Sequence, residues 1–315
     1  MEKLTEKIRE IAKRLLSEGK VDTVIGYRAG TIPLKNMPFF ARTPEEADQL
    51  IWDSNGRINL ANYLPRRTDR VAVVAKGCDA RNIVNHVLEN QIKRDQVYII
   101  GVPCEGMIDP ELVYEREERL IEEVIESDGK LIVKGRGFET SMDRNDVLRS
   151  NCRTCMHRNP VIYDEMVADA VPEQEDVDPY EDVKELLTKS DSERAEYFKK
   201  LVEPCIRCYA CRDACPLCYC SVCFVDESMP QWLGKSNDEH DKMTFHILRA
   251  FHCAGRCTDC GACEAACPMN IKVRQFTRRL EMDVKERYGY EAGLSLDNLP
   301  PLTVYRPDDP EEFIK

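Results

Sequence analysis

The chain has 315 residues, of which 32% are charged, and a formal net charge of −12. So acidic a surface argues against nucleic acid or anionic lipid as a general partner. No stretch has the roughly eighteen apolar residues that a membrane span requires, and the mixed Glu and Lys residues at the N-terminus do not resemble a signal peptide. About two domains are expected from this length. Sixteen cysteines without an export signal predict a reducing, cytoplasmic location, where thiols serve as ligands instead of forming disulfides.

Apolar residues at helical spacing predict an amphipathic helix over residues 3–18, ended by Gly19. A strand is predicted over residues 21–27, followed by a Gly- and Pro-rich loop over residues 28–40. Arg28, Lys35 and Arg42 near this loop are candidates for contact with an anionic cofactor or, more simply, solvated surface charges.

A strand–helix–strand unit comes next. Residues 71–75 and 97–102 are continuous apolar runs, typical of buried parallel strands, and a helix capped by Asp79 is predicted between them, to about residue 91. A right-handed crossover makes the two strands parallel. Cys78 and Cys104 then follow the carboxyl ends of their strands, the edge where open α/β sheets bind ligands.

Residues 115–126 are predicted as a charged helix and residues 130–134 as a strand, before Cys152-x2-Cys155. Cys78, Cys104, Cys152 and Cys155 complete a set of four thiolates, which predicts a 4Fe–4S cluster. Zinc and a redox-active cysteine pair are the alternatives. His157 is interpreted as a surface residue or a neighbour of the ligands. Together these elements predict an α/β domain with a mostly parallel sheet over residues 1–162.

An acidic segment follows this domain in the chain. Residues 164–182 contain nine acidic residues and no Lys or Arg, so an extended linker is predicted over residues 163–189. Ser190 and Glu193 form a candidate capping box for a helix that runs through Val202 toward Cys205.

Twelve of the sixteen cysteines lie between Cys205 and Cys267, and eight of them obey one repeated rule, Cys-x2-Cys-x2-Cys-x3-Cys-Pro. In this bacterial ferredoxin run the fourth cysteine binds the neighbouring cluster. One predicted 4Fe–4S cluster is therefore held by Cys205, Cys208, Cys211 and Cys267. The other is held by Cys257, Cys260, Cys263 and Cys215. Disulfides or paired zinc sites are the alternatives, but zinc usually takes two separated Cys-x2-Cys pairs.

The 41 residues between the two runs contain a predicted helix over residues 240–253, and another is predicted over residues 271–287. They favour an all-helical ferredoxin domain over residues 190–295, with an extended tail over residues 296–315. Cys218, Cys220, Cys223 and Cys253 remain and suggest a fourth metal site, occupied by a 4Fe–4S cluster or zinc, unless they are buried free thiols. His240, His246 and His252 are interpreted as packing or surface residues, with substitution for a thiol ligand of this site as the alternative.

The sequence contains no dinucleotide-binding glycine fingerprint, phosphate-binding loop, zinc-protease motif or nucleophile elbow. No catalytic residue is assigned, and whether the chain is itself an enzyme stays open. The visible chemistry is one-electron transfer. Lys76, Arg81 and Arg256 lie near predicted ligands in sequence and are candidates for raising cluster potentials; solvated surface charge is the other interpretation.

Two family resemblances rest on these residues. Lys76-Gly77-Cys78-Asp79, Gly101-Val102-Pro103-Cys104 and Cys152-x2-Cys155 resemble the beta-subunit family of coenzyme F420 hydrogenase and dehydrogenase, over residues 20–165. The segment from Ala254 through Met269 is similar to the helical ferredoxin of heterodisulfide reductase C subunits and succinate dehydrogenase iron–sulfur subunits. In the beta-subunit family, however, the ferredoxin motifs commonly precede the cluster domain, and a proline often replaces Gly77.

The resemblance implies a cytoplasmic electron-relay subunit of an anaerobic oxidoreductase complex. It would carry three or four 4Fe–4S clusters and bind flavoprotein and heterodisulfide-reductase-like subunits. The alternative is a flavin-containing catalytic subunit that binds FAD and oxidises reduced deazaflavin or nicotinamide. A third hypothesis is a zinc-bound interaction protein.

Overall fold

The computed structural model describes residues 1–311. The chain divides into two compact units. The first comprises residues 1–80 and 92–177, and the second comprises residues 81–91 and 178–315.

The first unit begins with helix α1, Glu2–Ser17, as predicted. Its apolar residues recur every three or four positions and therefore lie on one face, where Ile8, Ile11 and Leu15 are fully buried.

A five-stranded sheet forms the centre of the first unit, in the order β2-β1-β3-β4-β8. Its strands are β1 (Thr23–Arg28), β2 (Met37–Ala41), β3 (Val71–Ala75), β4 (Val97–Gly101) and β8 (Glu165–Met166). Strand β3 is parallel to β1 and β4, β4 is parallel to β8, and only β2 is antiparallel. The predicted α/β class and the parallel pairing of residues 71–75 with 97–101 are confirmed.

Two boundaries differ from the predictions. Residues 28–40 are not wholly a loop, because Met37–Ala41 pairs with β1 as an edge strand, a position that tolerates Pro38. Helix α2, Gly77–Leu88, begins before Asp79. The Asp79 carboxylate is fully buried and accepts hydrogen bonds from the backbone N–H groups of Leu60 (2.9 Å) and Lys76 (3.1 Å), so it joins two segments of the unit.

The predicted helix over residues 115–126 is wrong. Helix α3, Pro110–Arg116, ends early, and Ile121–Ser127 forms strand β5 of a second, antiparallel sheet with β6 (Lys130–Gly135) and β7 (Phe138–Asp143). Asp128 and Gly129 both have positive φ, as a two-residue hairpin turn requires, and this turn reverses the chain after β5. The predicted strand over residues 130–134 is confirmed.

A short helix, α4 (Ser150–Arg153), carries Cys152. The acidic segment then contributes strand β8, and the Glu173 carboxylate accepts a hydrogen bond from the Asn159 side chain at 2.8 Å. In the second unit, helix α5 (Glu181–Leu187) also belongs to the residues predicted as a linker.

The ordered elements of the second unit, over its described residues, are helices. After α5 come α6 (Asp191–Val202), α7 (Ala210–Asp213), α8 (Glu239–His252), α9 (Ala262–Ala265) and α10 (Gln275–Tyr288). The predicted helices before Cys205, before Cys253 and after Ile271 are confirmed, although α10 begins only at Gln275. The ferredoxin assignment itself stays a prediction. Of the predicted tail, residues 312–315 lie outside the described residues, and Pro301–Thr303 forms a 3-10 turn.

Within residues 1–311, no helix combines the length and apolar character needed to cross a membrane.

Candidate metal centres

The first cysteine run surrounds a cavity of the second unit. Cys205, Cys208, Cys211 and Cys267 all line it, together with apolar residues such as Ile271 and Val273. Cys205 and Cys211 are buried and Cys208 is exposed. Burial raises the pKa of Cys211 to about 11, and Cys267, Cys205 and Cys208 add to the rise. The structure thus brings together the four thiols predicted for one cluster.

The two cysteine runs share one backbone conformation. Residues two and four positions after the first cysteine have positive φ in both runs: Arg207 (54°) and Tyr209 (60°) in the first, Asp259 (54°) and Gly261 (69°) in the second. Each run then continues into a four-residue helix, α7 or α9. The left-handed residues turn the chain so that its first three cysteines lie on one turn. The sequence repeat is therefore also a structural repeat.

In both runs, the side chain of the first residue with positive φ forms ion pairs. Arg207 lies 3.5 Å from the Asp241 carboxylate and donates to the Gly234 carbonyl at 2.8 Å. Asp259 accepts from Arg274 at 2.7 Å and lies 3.2 Å from Arg278. Opposite charges thus stabilise equivalent positions, and in each run the counter-charge comes from a different part of the second unit.

The second run gathers its thiols with Cys215. The pKa of Cys263 is raised, mainly by burial, and Cys215 and Cys260 add to the rise. Cys260 also adds to the raised pKa of Cys257, which is again caused mainly by burial. Cys215 additionally hydrogen bonds with Cys218 and Cys253, which lowers its pKa.

The remaining thiols divide between two neighbouring places. Cys218, Cys220 and Cys223 line a wide cavity with Phe224 and His252. Cys253 is buried against Cys215 and Leu217, and Cys218 and Cys257 pack on the same cluster. Cys218 is therefore the thiol that the two places share. The set of four stays a prediction.

The first unit contains the other predicted set. Cys78 lies in the first turn of α2 and Cys104 comes after β4, as the parallel sheet requires. Burial raises the pKa of Cys104 to about 12, and Cys152 is the next contribution. Backbone N–H groups donate to two of the sulfurs: Gly106 to Cys104 at 3.4 Å and Met107 to Cys152 at 3.3 Å.

Gly77 explains how the Cys152–Cys155 segment approaches this edge of the sheet. A Cβ atom at Gly77 would lie 2.2 Å from the His157 carbonyl oxygen, so a larger residue would displace the backbone just beyond Cys155. Gln174 fixes the same loop, because its side-chain amide donates to the carbonyls of Cys152 (3.1 Å) and Cys155 (2.8 Å).

The three cations that were candidates for raising cluster potentials are all paired with carboxylates. Lys76 lies 2.8 Å from Asp79, Arg81 lies 3.2 Å from Glu291, and Arg256 donates to Glu89 at 2.7 Å. Their charges are therefore largely balanced locally.

A cation that sequence reasoning missed lies in α8. Arg249 is buried, and its guanidinium donates to the Cys211 carbonyl at 3.1 Å, whereas its Nε has no hydrogen-bond partner within residues 1–311. Burial disfavours its charge, but the thiols of Cys215, Cys253, Cys263 and Cys211 outweigh burial, so the pKa of Arg249 lies well above its ordinary value.

His246 also proves to be a neighbour of the first run. It is buried, with Nε2 3.4 Å from the Cys205 sulfur, contrary to a surface position. Burial, with a contribution from Arg249, lowers its pKa to about 4, so the ring is neutral at pH 7. His246, Arg249 and Cys253 are spaced three and four residues apart and hence share one face of the helix, a signal that the sequence did contain.

Among residues 1–311, no three Cys, His, Asp or Glu side chains are arranged to hold one metal ion. A cubane distributes its four cysteine ligands over four irons, whereas tetrahedral zinc requires all four at about 2.3 Å from one point. The donor chemistry of each set is that of a thiolate-bound metal site, and the unpartnered Nε of buried Arg249 is an observation that fits a nearby anionic group.

These features define a cysteine-rich α/β protein with a repeated thiolate turn, and two known proteins are similar to it over nearly its whole length. It is 27% identical to the F420-dependent formate dehydrogenase subunit beta of Methanocaldococcus jannaschii, covering 94% of this chain and 93% of that protein. It is 26% identical to the F420-dependent formate dehydrogenase 1 subunit beta of Methanococcus maripaludis, covering 93% and 92%. Both relatives are thus subunits of oxidoreductases.

No family model matches the sequence. Among solved structures, a chain of the F420-reducing [NiFe] hydrogenase complex from Methanosarcina barkeri, studied by xenon derivatization, is 17% identical with a TM-score of 0.39. That match covers 50% of this chain and 63% of the other, a likeness too weak to bear on fold or function.

Proposed function

We propose that this chain is an iron–sulfur subunit of an F420-type oxidoreductase, which relays electrons between a flavin/NADH or deazaflavin module and a heterodisulfide-reductase-like partner. Its location would be cytoplasmic. The similarity to two formate dehydrogenase beta subunits supports an oxidoreductase subunit. The relay role rests on the cysteines.

The observation that carries the proposal is the repeated turn. Two runs with the same spacing have positive φ at the same steps, and the first opens onto a cavity that its three cysteines share with Cys267. Left-handed Arg207, Tyr209 and Asp259 each cost about 1–3 kcal/mol, and such strained residues concentrate at functional sites. Bound 4Fe–4S clusters would supply one-electron redox chemistry. The chain's own residues would hold them, limit their contact with water and donate hydrogen bonds to the sulfurs.

The proposed ligand sets are those of the sequence. They are Cys205, Cys208, Cys211 and Cys267; Cys257, Cys260, Cys263 and Cys215; Cys78, Cys104, Cys152 and Cys155; and Cys218, Cys220, Cys223 and Cys253, the last with a cluster or zinc.

Iron and sulfide analysis of anaerobically purified protein tests the proposal. We expect about sixteen irons per chain for four clusters, or about twelve with zinc or free thiols at the Cys218 set. Cys260→Ser should remove about four irons and one paramagnetic signal of the reduced protein. Ser228→Ala, on an exposed loop, is the matched control. A wild-type protein that is colourless, free of iron and silent in electron paramagnetic resonance would refute the relay.

A flavin-containing catalytic subunit is the second candidate, because both relatives are named F420-dependent. An anionic cofactor beside Arg57 would offset the burial of that side chain. Burial and the neighbouring Arg149 lower the pKa of Arg57, which is half-buried. Acid extraction should release FAD if this candidate is correct, and Arg57→Gln should reduce the amount bound. Extraction of a colourless, non-fluorescent supernatant would exclude it.

A further inference from the structure

Arg249 is a buried cation that pairs with no carboxylate among the described residues. Its side chain is 5% exposed, and its guanidinium donates to the Cys211 carbonyl, whereas its Nε has no hydrogen-bond partner among residues 1–311. Burying a charge without a counter-charge costs several kcal/mol. No carboxylate lies within 4 Å of it among the described residues, although the second unit is rich in Asp and Glu. An anion is therefore needed beside this guanidinium.

The groups around Arg249 show where that anion belongs. Cys211, whose carbonyl accepts from Arg249, is in the first run, Cys215 and Cys263 are in the second proposed set, and Cys253 is one of the remaining thiols. After burial, which lowers the pKa of Arg249, these four thiols are the groups that raise it. Arg249 also lines the cavity that contains Cys218, Cys220 and Cys223. One guanidinium thus lies at the junction of three groups of thiols. Neutral thiols would leave its charge uncompensated, whereas clusters with thiolate ligands carry net negative charge.

We propose that Arg249 is the shared counter-cation of the thiolate-bound clusters in the second unit and that it raises their reduction potentials together. Reduction adds an electron, and hence negative charge, to a cluster, so a fixed positive charge favours the reduced form. Low exposure limits solvent screening of this effect. Arg249 acts as a positioning and tuning residue and is not itself a ligand.

Other cations that lie near predicted ligands differ from Arg249 because each of them is paired with a carboxylate. Lys76, Arg81 and Arg256 each have a carboxylate within 3.2 Å, so their fields are partly cancelled. Of these four cations, Arg249 is the one without a carboxylate partner in the described part of the chain, so its field remains available to the thiols. It is also in α8, the helix that carries His246 toward Cys205 and ends at Cys253.

Redox titration of the anaerobic full-length protein, monitored by electron paramagnetic resonance, tests this inference, which rests on the proposed function. We expect Arg249→Gln to make reduction of at least two clusters tenfold less favourable, a shift of about 59 mV to lower potential for one-electron couples. Arg249→Lys keeps the charge and should stay near the wild-type potential. Arg279→Gln removes the same charge from an exposed ion pair with Asp283 and should change nothing.

Iron content separates the outcomes. A wild-type protein without clusters refutes the proposed function, whereas Arg249→Gln with wild-type iron and unchanged potentials refutes only the role of Arg249. If the Arg249→Gln variant loses iron, the iron content of the Arg249→Lys variant distinguishes a counter-cation from a role in packing. Retained iron in the lysine variant supports a counter-cation, and iron loss in both variants overturns it in favour of a role in packing.

Discussion

At the scale of single residues, the second cysteine turn contains a left-handed Asp259 whose carboxylate lies between two buried arginines. Burial alone would raise the pKa of this group, but Arg274 and Arg278 outweigh burial and lower it. The carboxylate is therefore ionised when the protein is folded. Arg274 and Arg278 are themselves nearly inaccessible, so the three charges depend on one another.

Asp259→Asn tests this dependence with little change to the backbone, because Asn tolerates positive φ as well as Asp does. Arg278 keeps Glu281 at 2.8 Å, and Arg274 keeps the more distant Glu264 at 3.8 Å. Loss of the shared carboxylate should therefore cost about 1–3 kcal/mol and release the iron of one cluster. Urea unfolding monitored by circular dichroism, with iron analysis, measures both. Asp283→Asn, in an exposed pair with Arg279, is the control and should cost less than about 0.5 kcal/mol. Equal stability and iron content in the two variants would contradict the prediction.

The predictability of these residues from sequence depends on the range of their interactions. Cysteine spacing is local, so the runs and the Gly77–Cys78 strand end could be identified directly. Charge balance is not local: Arg256 meets Glu89 and Arg81 meets Glu291 only because the chain folds back. The sequence consequently singled out cations that are paired. Arg249, which pairs with no carboxylate in the described part of the chain, was not predicted, although its helical spacing to Cys253 was visible.

At the scale of elements, the wrong helix prediction falls on a segment whose charge pattern is typical of a helix but which leads into a tight turn. Residues 115–126 are rich in Glu and Arg, which favours a helix, but the left-handed Asp128-Gly129 turn pairs Ile121–Ser127 with Lys130–Gly135 as a hairpin. Strands β5 to β7 then contribute Ile121, Leu131 and Val133 to a small core. By contrast, helix α6 was predicted from its cap alone, and the capping box is present.

Ser190→Ala measures how much that cap stabilises the segment before the first run. The Ser190 backbone N–H donates to Glu193 at 2.8 Å, and the Ser190 hydroxyl accepts from the Glu193 N–H at 3.4 Å. Loss of the hydroxyl should lower the free energy of unfolding by about 1 kcal/mol. Iron content should not change, because Cys205 is still fixed by its own N–H bond to the Val202 carbonyl. Chemical denaturation compares this variant with Ser228→Ala; identical curves for the two would show that the cap is energetically irrelevant.

At the scale of the whole molecule, the two units bury different kinds of side chain. The first has a core of aliphatic residues on α1 and the central sheet, such as Ile8, Leu15, Val73 and Ile99, all fully buried. The second has a core around Phe245 in which Cys205 and Cys211 are themselves members. Its helices enclose the cysteine turns, so its stability should depend on the groups that those thiols bind.

Removal of the metal should therefore affect the two units unequally. Treatment with an oxidant and a chelator is expected to expose the backbone amides of α6, α8 and α10 to hydrogen exchange, because the cysteine core loses the groups that join its turns. Strands β3 and β4 should keep their protection, since their aliphatic core contains no ligand. Hydrogen exchange read by mass spectrometry compares the treated protein with the untreated one and with protein reconstituted with iron and sulfide. Protection that is lost equally in both units, or that persists in α8 without metal, would show that the second unit folds independently of its thiol ligation.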